Sequence, residues 1–472
     1  MYSKNSYIRI AGMVLIAWLI FRFAPAMLPA QTQDTTYRFT SSKGLGLQVI
    51  PQPHSRLCVA ELVVLTPYKG TYPGISQITY ENLFNPMLAD GHNSLLTALN
   101  RLGGDFTVIN GGDHTRIQVS FLPDKLNAFI QFIEKLFTFN DFSQNRFKSS
   151  TLYFGTRMRR TQDWETRVVH QLAYRHLFPD HPLGFGLVSR DVLTRSRLGH
   201  VVTYFRRNFR LSHATLIVKG DIKPYVTFGL VEKAFNNYRR DETPLSVEDP
   251  QDFPRSDVIL FHTGKNSPMT MFWFKVIPPV NSDAHMATLV TEKILFGMPL
   301  GVVFQRAALS GLGNIRIETD IQDHCRFSVI SNTISRLQAE NISRFVMLAR
   351  SERRKLALQN VDRKQYLYAV NYLYSRFKVN SASFANDLRL KTLEKLCDVD
   401  IRHSKVDRNN FQRIFQQVSL EQVNRLLRNQ ARERRDDSQS LVLGDVVIIT
   451  GDADQIAPHL KMFSVSKYQP DW

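Results

Sequence analysis

The chain has 472 residues, of which 43% are apolar and 22% charged, and its formal net charge is +18. This length exceeds what one hydrophobic core usually supports, so we predict two domains, and the apolar content excludes general disorder. The positive charge would suit an acidic partner. The basic residues are nevertheless dispersed in small groups without a nucleic-acid-binding motif, and we expect no nucleic-acid partner.

Residues 1–30 have the pattern of an export signal peptide. A basic start precedes an uninterrupted apolar run at 10–21, and cleavage is expected after Ala30. The run is too short to span a bilayer, which needs about 20 apolar residues. The alternative is an uncleaved N-terminal anchor in which Arg22 reaches the membrane interface. We therefore expect an exported protein of the periplasm or cell envelope, which touches the inner membrane only if this segment is retained.

The first half of the chain alternates short strand patterns with helical ones. Period-two alternation marks the strands, apolar residues at helical spacing mark the helices, and turn residues such as Gly103 and Gly104 end them. The predicted strands are 37–40, 45–50, 58–65, 106–109, 115–121 and 213–218, and the predicted helices are 75–88, 95–102, 126–139, 144–177 and 194–209.

A similar order begins again after a polar, proline-rich segment that is typical of a linker. HATLIVKGDI at 213–222 and VVIITGDADQI at 446–456 both run from an apolar strand into Gly-Asp. We interpret the shared order as an internal repeat. In the second half we predict strands at 258–261, 269–277 and 441–450 and a helix at 284–295. The predicted domain bounds are 31–239 and 257–472, with the linker at 240–256.

Three segments carry a family resemblance. Gly103 to Thr115 reads GGDFTVINGGDHT, His181 to Gly184 reads HPLG, and 208–221 is a strand pattern ending in Gly-Asp. In this order and spacing the chain resembles the insulinase/pitrilysin family of zinc peptidases over roughly residues 37–460. The resemblance implies an α+β fold of two similar domains, each a mainly antiparallel sheet flanked by helices, that close like a clamshell.

The zinc motif of that family is degenerate in this chain. The family carries H-x-x-E-H on a helix, where two histidines bind zinc, the glutamate is the general base, and a second glutamate downstream completes the site. The aligned positions here are Gln77, Tyr80 and Glu81, and 144–162 contains no acidic residue. Gln is a poor zinc ligand and Tyr is no base near neutral pH. We expect no catalytic residue, no metal ligand and no zinc cofactor, although homologues should bind zinc; Glu81 is the one acid on this helix to consider as a base.

The second half departs from the family in a similar way. Family members hold the substrate peptide with Arg and Tyr in a segment of the form R-L-x-x-x-x-R-x-x-G-L-x-Y. Here Gly311 and Leu312 are retained, but Val302, Ala308 and Asn314 stand where Arg, Arg and Tyr are expected. We predict that this substrate clamp is lost together with the zinc motif.

Several histidines remain as candidates for a replacement metal site. They are His92, His114, His170, His176 and His181. No two of them have the H-x-x-x-H or H-x-H spacing that places ligands on one helix or strand face. We predict that they are ordinary surface or core histidines.

A peptide-binding strand is the second candidate site. It consists of Phe106, Thr107, Val108, Ile109 and Asn110, which match the family segment that pairs with an extended peptide by strand addition. Thr107 and Val108 replace the Asn-Ala of the family. Two interpretations stay open at this stage: a strand that binds an extended peptide, and a strand that is only structural.

These features favour a non-catalytic subunit over an enzyme. The first hypothesis is a subunit that pairs with a zinc-bearing homologous subunit, or with a second copy of itself, and helps to form a peptide-binding proteolytic chamber of four such domains in the cell envelope. The second is a stand-alone envelope scaffold or peptide-binding protein. The third, and least favoured, is an enzyme that uses residues outside these motifs.

Overall fold

Two six-stranded mixed sheets, each flanked by helices, organise the chain. The structure is a computed structural model and describes residues 35–66, 74–84, 95–160, 164–179, 181, 183–184, 190–239, 257–278, 283–324, 327–381, 418–432 and 445–469. Four of the five strand pairings in the first sheet and three of five in the second are antiparallel. The predicted α+β fold of two similar, mainly antiparallel domains is confirmed.

The first sheet has the strand order β1-β2-β6-β3-β5-β4. Its strands are β1 Tyr37–Thr40, β2 Gly46–Pro51, β3 Cys58–Leu65, β4 Phe106–Asn110, β5 His114–Phe121 and β6 Ala214–Gly220. The helices of this half are α1 Ile75–Phe84, α2 Leu95–Asn100, α3 Leu126–Phe137, α4 Gln144–Arg160, α5 Trp164–Leu177, α6 Arg190–Arg195, α7 Leu198–Asn208 and α8 Pro224–Ala234, with 3-10 turns at Pro123–Lys125 and Leu211–His213.

The second sheet has the order β12-β7-β11-β8-β10-β9. Its strands are β7 Asp257–His262, β8 Thr270–Ile277, β9 Arg316–His324, β10 Phe327–Ser335, β11 Asp445–Gly451 and β12 Val465–Tyr468. The helices are α9 Asp283–Phe296, α10 Val302–Leu309, α11 Ile342–Gln359, α12 Arg363–Ser381, α13 Leu420–Arg432 and α14 Ala453–Ile456, with 3-10 turns at Ala339–Asn341 and Ala457–Leu460.

The internal repeat is visible in the loops as well as in the strand order. Gly220 and Gly451 end equivalent strands with φ of 152° and 141°. The aspartate after each glycine accepts a hydrogen bond from a backbone N–H of a nearby loop. The N–H of His54, in the loop between β2 and β3, donates to Asp221 at 3.3 Å. The N–H of Asn266, in the loop between β7 and β8, donates to Asp452 at 3.1 Å. His54 and Asn266 both have positive φ, at 66° and 58°. The Gly-Asp signal in the sequence therefore marks one turn that is used twice.

The cores explain why these segments fold as they do. β3 is buried along its whole length, which is typical of a central strand covered on both faces. α3 buries Leu126, Phe129, Ile130, Phe132, Ile133, Leu136 and Phe137 against the first sheet. The apolar stripe predicted at 126–139 is confirmed as a helix that ends at Phe137.

α5 connects the two halves through packing. Its buried residues Val168, Val169 and Leu172 share a cluster with strands of the second sheet, including Phe272 and Phe274 of β8. A helix that lies in the first half of the sequence thus covers a face of the second sheet. This arrangement places residues from both sheets close together at the end of β9.

One helical prediction needs correction at its start, and another is described in part. The helical region predicted at 144–177 contains the described helices α4 and α5, with 161–163 outside the described residues. The helix predicted at 194–209 begins at Leu198, because Arg197 is extended, with φ of −128° and ψ of 151°. Its backbone N–H instead donates to Nδ1 of His200 at 3.3 Å and caps the new helix.

Some predictions concern residues that the structure does not describe. The export signal lies within 1–34, the linker within 240–256 and the last four residues of the predicted helix at 75–88 within 85–94, so all three stay predictions. The domain bounds that depend on the linker stay predictions too. Among the residues described, no helix is long and apolar enough to cross a membrane.

Candidate functional site

The helix aligned with the family zinc motif is α1, which follows Gly74 at a φ of 74°. Its apolar residues face the first core, while Gln77 and Tyr80 are half-buried and Glu81 is buried at 1% exposure. Positions 77, 80 and 81 lie on one helical face because they are separated by three and four residues. The structure therefore keeps the three positions together, with an amide, a phenol and a carboxylate in them.

α4 packs against α1 through neutral and cationic groups. Asn82 donates from Nδ2 to Oγ of Ser150 at 2.7 Å, and both side chains are fully buried. Arg146 donates from Nε to the carbonyl of Asn82 at 2.9 Å and pairs with Asp141 at 3.2 Å. α4 itself contains no acidic residue. The helix from which a downstream zinc ligand would come thus supplies a hydroxyl and a guanidinium.

The candidate peptide-binding strand is β4, at the edge of the first sheet. Within the part of the chain that the structure describes, β4 pairs with β5 alone. The N–H of Ser120 donates to the carbonyl of Asp105, and the N–H of Gly111 to that of His114. Because such bonds alternate along an antiparallel pair, the outward N–H groups are those of Phe106, Val108 and Asn110. These groups face away from β5, and no described strand pairs with them, so within the described part of the chain they form an open edge for an added strand.

The clamp segment of the second half is now an ordinary helix end. Leu312 is buried in the second core, and Gly311 occupies a left-handed turn with φ of 68°. This explains the retained Gly-Leu pair by packing and backbone shape. Ala308 and Asn314 are exposed and Val302 is half-buried.

His181 of the HPLG segment also has a structural role. It is buried between Phe178 and Phe327, with ring centroids 5.9 Å away in both cases, and its Nδ1 accepts from the N–H of Leu183 at 3.3 Å. A side chain at Gly184 would overlap the carbonyl of Phe178. His181 and Leu183 of this segment pack on the second sheet.

A buried polar cluster joins the two sheets at the start of β5 and the end of β9. Oδ1 of Asp113 lies 2.7 Å from Nδ1 of His114 and 3.5 Å from Nδ1 of His324. The three residues are 2%, 2% and 4% exposed, and one ligand atom from each lies within 4.8 Å of the others. The backbone carbonyl of Asp113 accepts from the N–H of Thr66 at 2.7 Å.

The turn before β5 is built for this cluster. Gly112 has a φ of 90°, and a Cβ there would approach Cδ2 of Leu183 to 2.8 Å. A Cβ at Gly111 would overlap the ring of His114. The Gly-Gly pair therefore lets the chain turn closely enough for the imidazole to lie over the backbone beside Asp113.

A hydrogen-bonded relay continues from His324 into α5. Nε2 of His324 lies 2.8 Å from the hydroxyl of Tyr174, and this hydroxyl donates to Oε1 of Gln322 at 2.6 Å. Nε2 of Gln322 lies 3.2 Å from Nδ1 of His170. The relay fixes the orientation of the His324 ring from the side opposite Asp113.

The charge state of Asp113 follows from its neighbours. Burial alone would raise the pKa of this carboxyl group, but the charge and hydrogen bond of His114, followed by those of His324, hold the pKa well below its usual value of 3.8. Asp113 is therefore a carboxylate at neutral pH. Burial lowers the pKa of His170 at the far end of the relay, with Asp320 acting in the opposite direction.

Sequence reasoning named His114 and His170 but not His324, and it did not bring them together. Asp113 and His324 are 211 positions apart in the sequence, and no local spacing signals their contact. The only hint in the sequence was the Asp-His pair directly after two glycines. His176 is half-buried on α5, and His92 lies outside the described residues.

A second buried polar network lies within the second sheet. Nζ of Lys275 contacts Oε1 of Glu292 at 2.9 Å, and Arg353 bridges Glu292 at 3.0 Å and Asp445 at 3.4 Å. Trp273 donates to Asp445 at 2.8 Å. Two cations and two carboxylates balance each other, as buried charges require. The network ties β8, β11, α9 and α11 together and is structural.

Comparisons with known proteins agree with this architecture. No protein-family model matches the chain. Over 232 residues it is 19% identical to an uncharacterised zinc protease, YmxG, of Bacillus subtilis (strain 168). That match takes in 48% of this chain and 54% of the relative, so the chain spans about half the length of the curated relative it matches.

Solved structures match over most of the chain. A protease from Helicobacter pylori superposes with a TM-score of 0.70 at 13% identity, over 89% of this chain and 99% of the other. A peptidase M16 inactive domain from Pseudomonas fluorescens gives 0.67 at 13% identity, over 89% and 98%. The chain has the M16-like, insulinase/pitrilysin-type peptidase fold. The resemblance seen in the sequence is confirmed. At 13% identity, the similarity to these solved structures shows the fold alone.

Proposed function

We propose that this M16-like chain is a catalytically silent, peptidase-like subunit. The observation that carries the proposal is the α1–α4 contact, where Asn82 and Ser150 form a buried neutral hydrogen bond. Gln77 and Tyr80 occupy motif positions on α1, and neither side chain combines with Glu81 into an H-x-x-E-H arrangement. Reactivation would need several simultaneous changes on two helices.

Peptide capture is the role that this subunit retains. The outward N–H groups of Phe106, Val108 and Asn110 can pair with an extended peptide, while the exposed Thr107 and Ile109 contact its side chains. Binding of this kind depends on main-chain hydrogen bonds, so it does not need zinc. The strand edge supports the proposal, because it remains uncovered by any described segment.

We propose further that the chain pairs with a zinc-bearing homologous subunit in the cell envelope. Support comes from the solved P. fluorescens structure, which is an inactive domain of an M16 peptidase, and from the export-like pattern of residues 1–30. In such a pair the partner would supply the catalytic zinc and this chain a wall of the chamber. A self-dimer and a stand-alone scaffold are the outcomes that would replace pairing.

The experiment is a reconstitution with a homologue from the same organism that carries an intact H-x-x-E-H motif. The two chains are co-expressed, their complex is measured by size-exclusion chromatography with light scattering, and cleavage of quenched fluorescent peptides is followed. We expect no cleavage by this chain alone, cleavage by the pair, and loss of cleavage when the partner's motif glutamate is changed to Gln.

Two results would overturn the proposal. Cleavage by this chain alone that is lost in Glu81→Gln would make it an enzyme. Failure of the two chains to associate, with peptide binding by this chain retained, would favour the stand-alone peptide-binding protein.

A further inference from the structure

The buried cluster at the junction of the two sheets has an unusual proton arrangement. Tyr174 gives its only hydroxyl proton to Oε1 of Gln322 at 2.6 Å, so its oxygen accepts from Nε2 of His324 at 2.8 Å. The Gln322 amide is held in this orientation by its contact with Nδ1 of His170 at 3.2 Å. Nε2 of His324 is therefore protonated, and a neutral His324 in this arrangement presents a lone pair from Nδ1.

Nδ1 of His324 faces a negative charge. It lies 3.5 Å from Oδ1 of Asp113, and this same oxygen lies 2.7 Å from Nδ1 of His114. A nitrogen lone pair and a carboxylate that face each other inside a protein repel, so either a proton on Nδ1 or a metal cation must lie between them. The three residues are 4% exposed or less, so bulk water does not screen them.

We propose that Asp113, His114 and His324 form a site for one zinc-class divalent cation that joins the two sheets. Two imidazoles and a carboxylate are the ligands that Zn²⁺ and Co²⁺ accept, whereas Mg²⁺ and Ca²⁺ prefer oxygen ligands. Zinc bonds to nitrogen and oxygen are about 2.0–2.2 Å long, so neighbouring ligands in a tetrahedron are about 3.4 Å apart. The Asp113–His324 separation of 3.5 Å already fits. The 2.7 Å contact with His114 opens on binding, and the proton that Nδ1 of His114 shares with Asp113 is released to solvent, as protons are when a metal binds histidine.

The surroundings supply what such a ligand set needs. A metal-bound histidine usually donates its second ring N–H to an outer partner, and Tyr174 is that partner for His324. The proposed ligand set uses none of the positions 77, 80 and 81 of the degenerate motif. Since Asp113 and His114 come from the first sheet and His324 from the second, a bound ion would hold the halves together.

Two proton arrangements satisfy the same atoms without an ion. In one, His324 carries both ring protons and donates to Tyr174 and Asp113. In the other, the Gln322 amide is reversed, Tyr174 donates to Nε2 of His324, and the Nδ1–H of His324 donates to Asp113. Both hold a proton on Nδ1 that Zn²⁺ must displace, so they predict weaker metal binding than the Nε2–H tautomer, which offers a lone pair inside the cluster.

The test is a titration of the purified full chain, stripped with a chelator, with Zn²⁺ in a calorimeter. We expect one equivalent to bind, and His114→Ala and His324→Ala each to weaken binding by at least about 100-fold, since the loss of outer partners alone costs 10–100-fold. His459→Ala, on an exposed side chain, and Glu81→Gln, on the degenerate motif helix, should bind as the wild type does.

A second measurement covers variants that fail to fold. Co²⁺ bound to the wild type should give the intense visible bands of a four-coordinate ion, and Zn²⁺ should raise the melting temperature of the wild type but not of His324→Ala. Absence of saturable binding, or binding that survives His324→Ala, would overturn the site and favour the ion-free relay.

Discussion

The indole N–H of Trp273 donates to Oδ2 of Asp445 at 2.8 Å, between the neighbouring strands β8 and β11. Asp445 is fully buried, and burial raises its pKa in spite of the opposing charges of Arg353 and Lys275. Trp273→Phe keeps most of the ring packing but removes this donor. Because a hydrogen bond to a charged group contributes about 1.5–3 kcal/mol, the free energy of unfolding should fall by about that amount.

Urea denaturation followed by circular dichroism measures this loss. Glu318→Gln is the control, because it breaks the Arg316–Glu318 ion pair at the surface, where both side chains are more than half exposed. Exposed pairs contribute about 0–1 kcal/mol. A loss in Trp273→Phe no larger than that in the control would show that the indole hydrogen bond does not stabilise the sheet.

The pKa of Glu292 determines how acidification changes the stability that the same network provides. Burial would raise its pKa, but Lys275 and then Arg353 lower it below the ordinary value of 4.5. A carboxyl group whose pKa is lower in the folded than in the unfolded protein stabilises the fold. This contribution is complete above the ordinary pKa of the unfolded state and is lost as the pH falls through the pKa of the folded state. Glu292→Gln leaves two cations against one carboxylate, and breaking a buried pair costs about 3–5 kcal/mol.

The destabilisation in Glu292→Gln should therefore be full at neutral pH and shrink on acidification. The measurement is the free energy of unfolding of wild type and variant from neutral pH to about pH 3. Asp445 has a raised pKa and contributes with the opposite sign. The charge of Glu292 is one cause of that raised pKa, but it acts on Asp445 more weakly than Arg353 and Lys275 do, so the difference between the two proteins keeps its trend. A difference that stays constant over this range would contradict the assigned role of Glu292.

Much of the fold was predictable, because it depends on local patterns. β3 reads as an apolar strand interrupted by Glu61, and α3 as an apolar stripe, and both lie where the sequence puts them. The two Gly-Asp turns indicated the repeat for a physical reason, since each glycine has a positive φ and each aspartate accepts a loop N–H.

The junction cluster was not predictable from these patterns. Its existence depends on the register of β9 against β10, which sets the face on which His324 lies, and a slip of one residue would reverse it. It also depends on α5 bringing Tyr174 from the first half onto the second sheet. Neither relationship leaves a spacing signal in the sequence.

Gly111 tests how closely the turn before β5 supports the cluster. Gly111→Ala places a Cβ against the ring of His114 and forces the imidazole away from Asp113. Overpacking of this kind costs about 1–3 kcal/mol. Gly229→Ala, where a Cβ on α8 meets no atom within 4 Å, should instead be neutral or stabilising by up to about 1 kcal/mol.

Thermal unfolding of both glycine variants gives the comparison, and the NMR signals of the His114 ring report its position. Equal stability of the two variants, with an unshifted His114 ring, would show that the turn tolerates a side chain and does not position the cluster.

The edge of β4 gives the sharpest test of peptide capture. Val108→Pro removes an outward N–H and leaves the inward bonds of β4 to β5 in place, because Val108 lies between the inward-bonded positions Thr107 and Ile109. An extended peptide that pairs along this edge loses a main-chain hydrogen bond and meets the proline ring. Its affinity should fall by about tenfold or more, since one hydrogen bond contributes about 0.5–1.5 kcal/mol and the steric clash adds to it.

Fluorescence anisotropy with a library of labelled extended peptides measures this change. Thr40→Val is the matched control: it alters an exposed side chain on β1, the opposite edge strand of the same sheet, and keeps its backbone N–H and its β-branched shape. Circular dichroism must show that both variants stay folded. If Val108→Pro binds peptide as tightly as Thr40→Val, the peptide does not add to the β4 edge, and β4 has only its structural role in the first sheet.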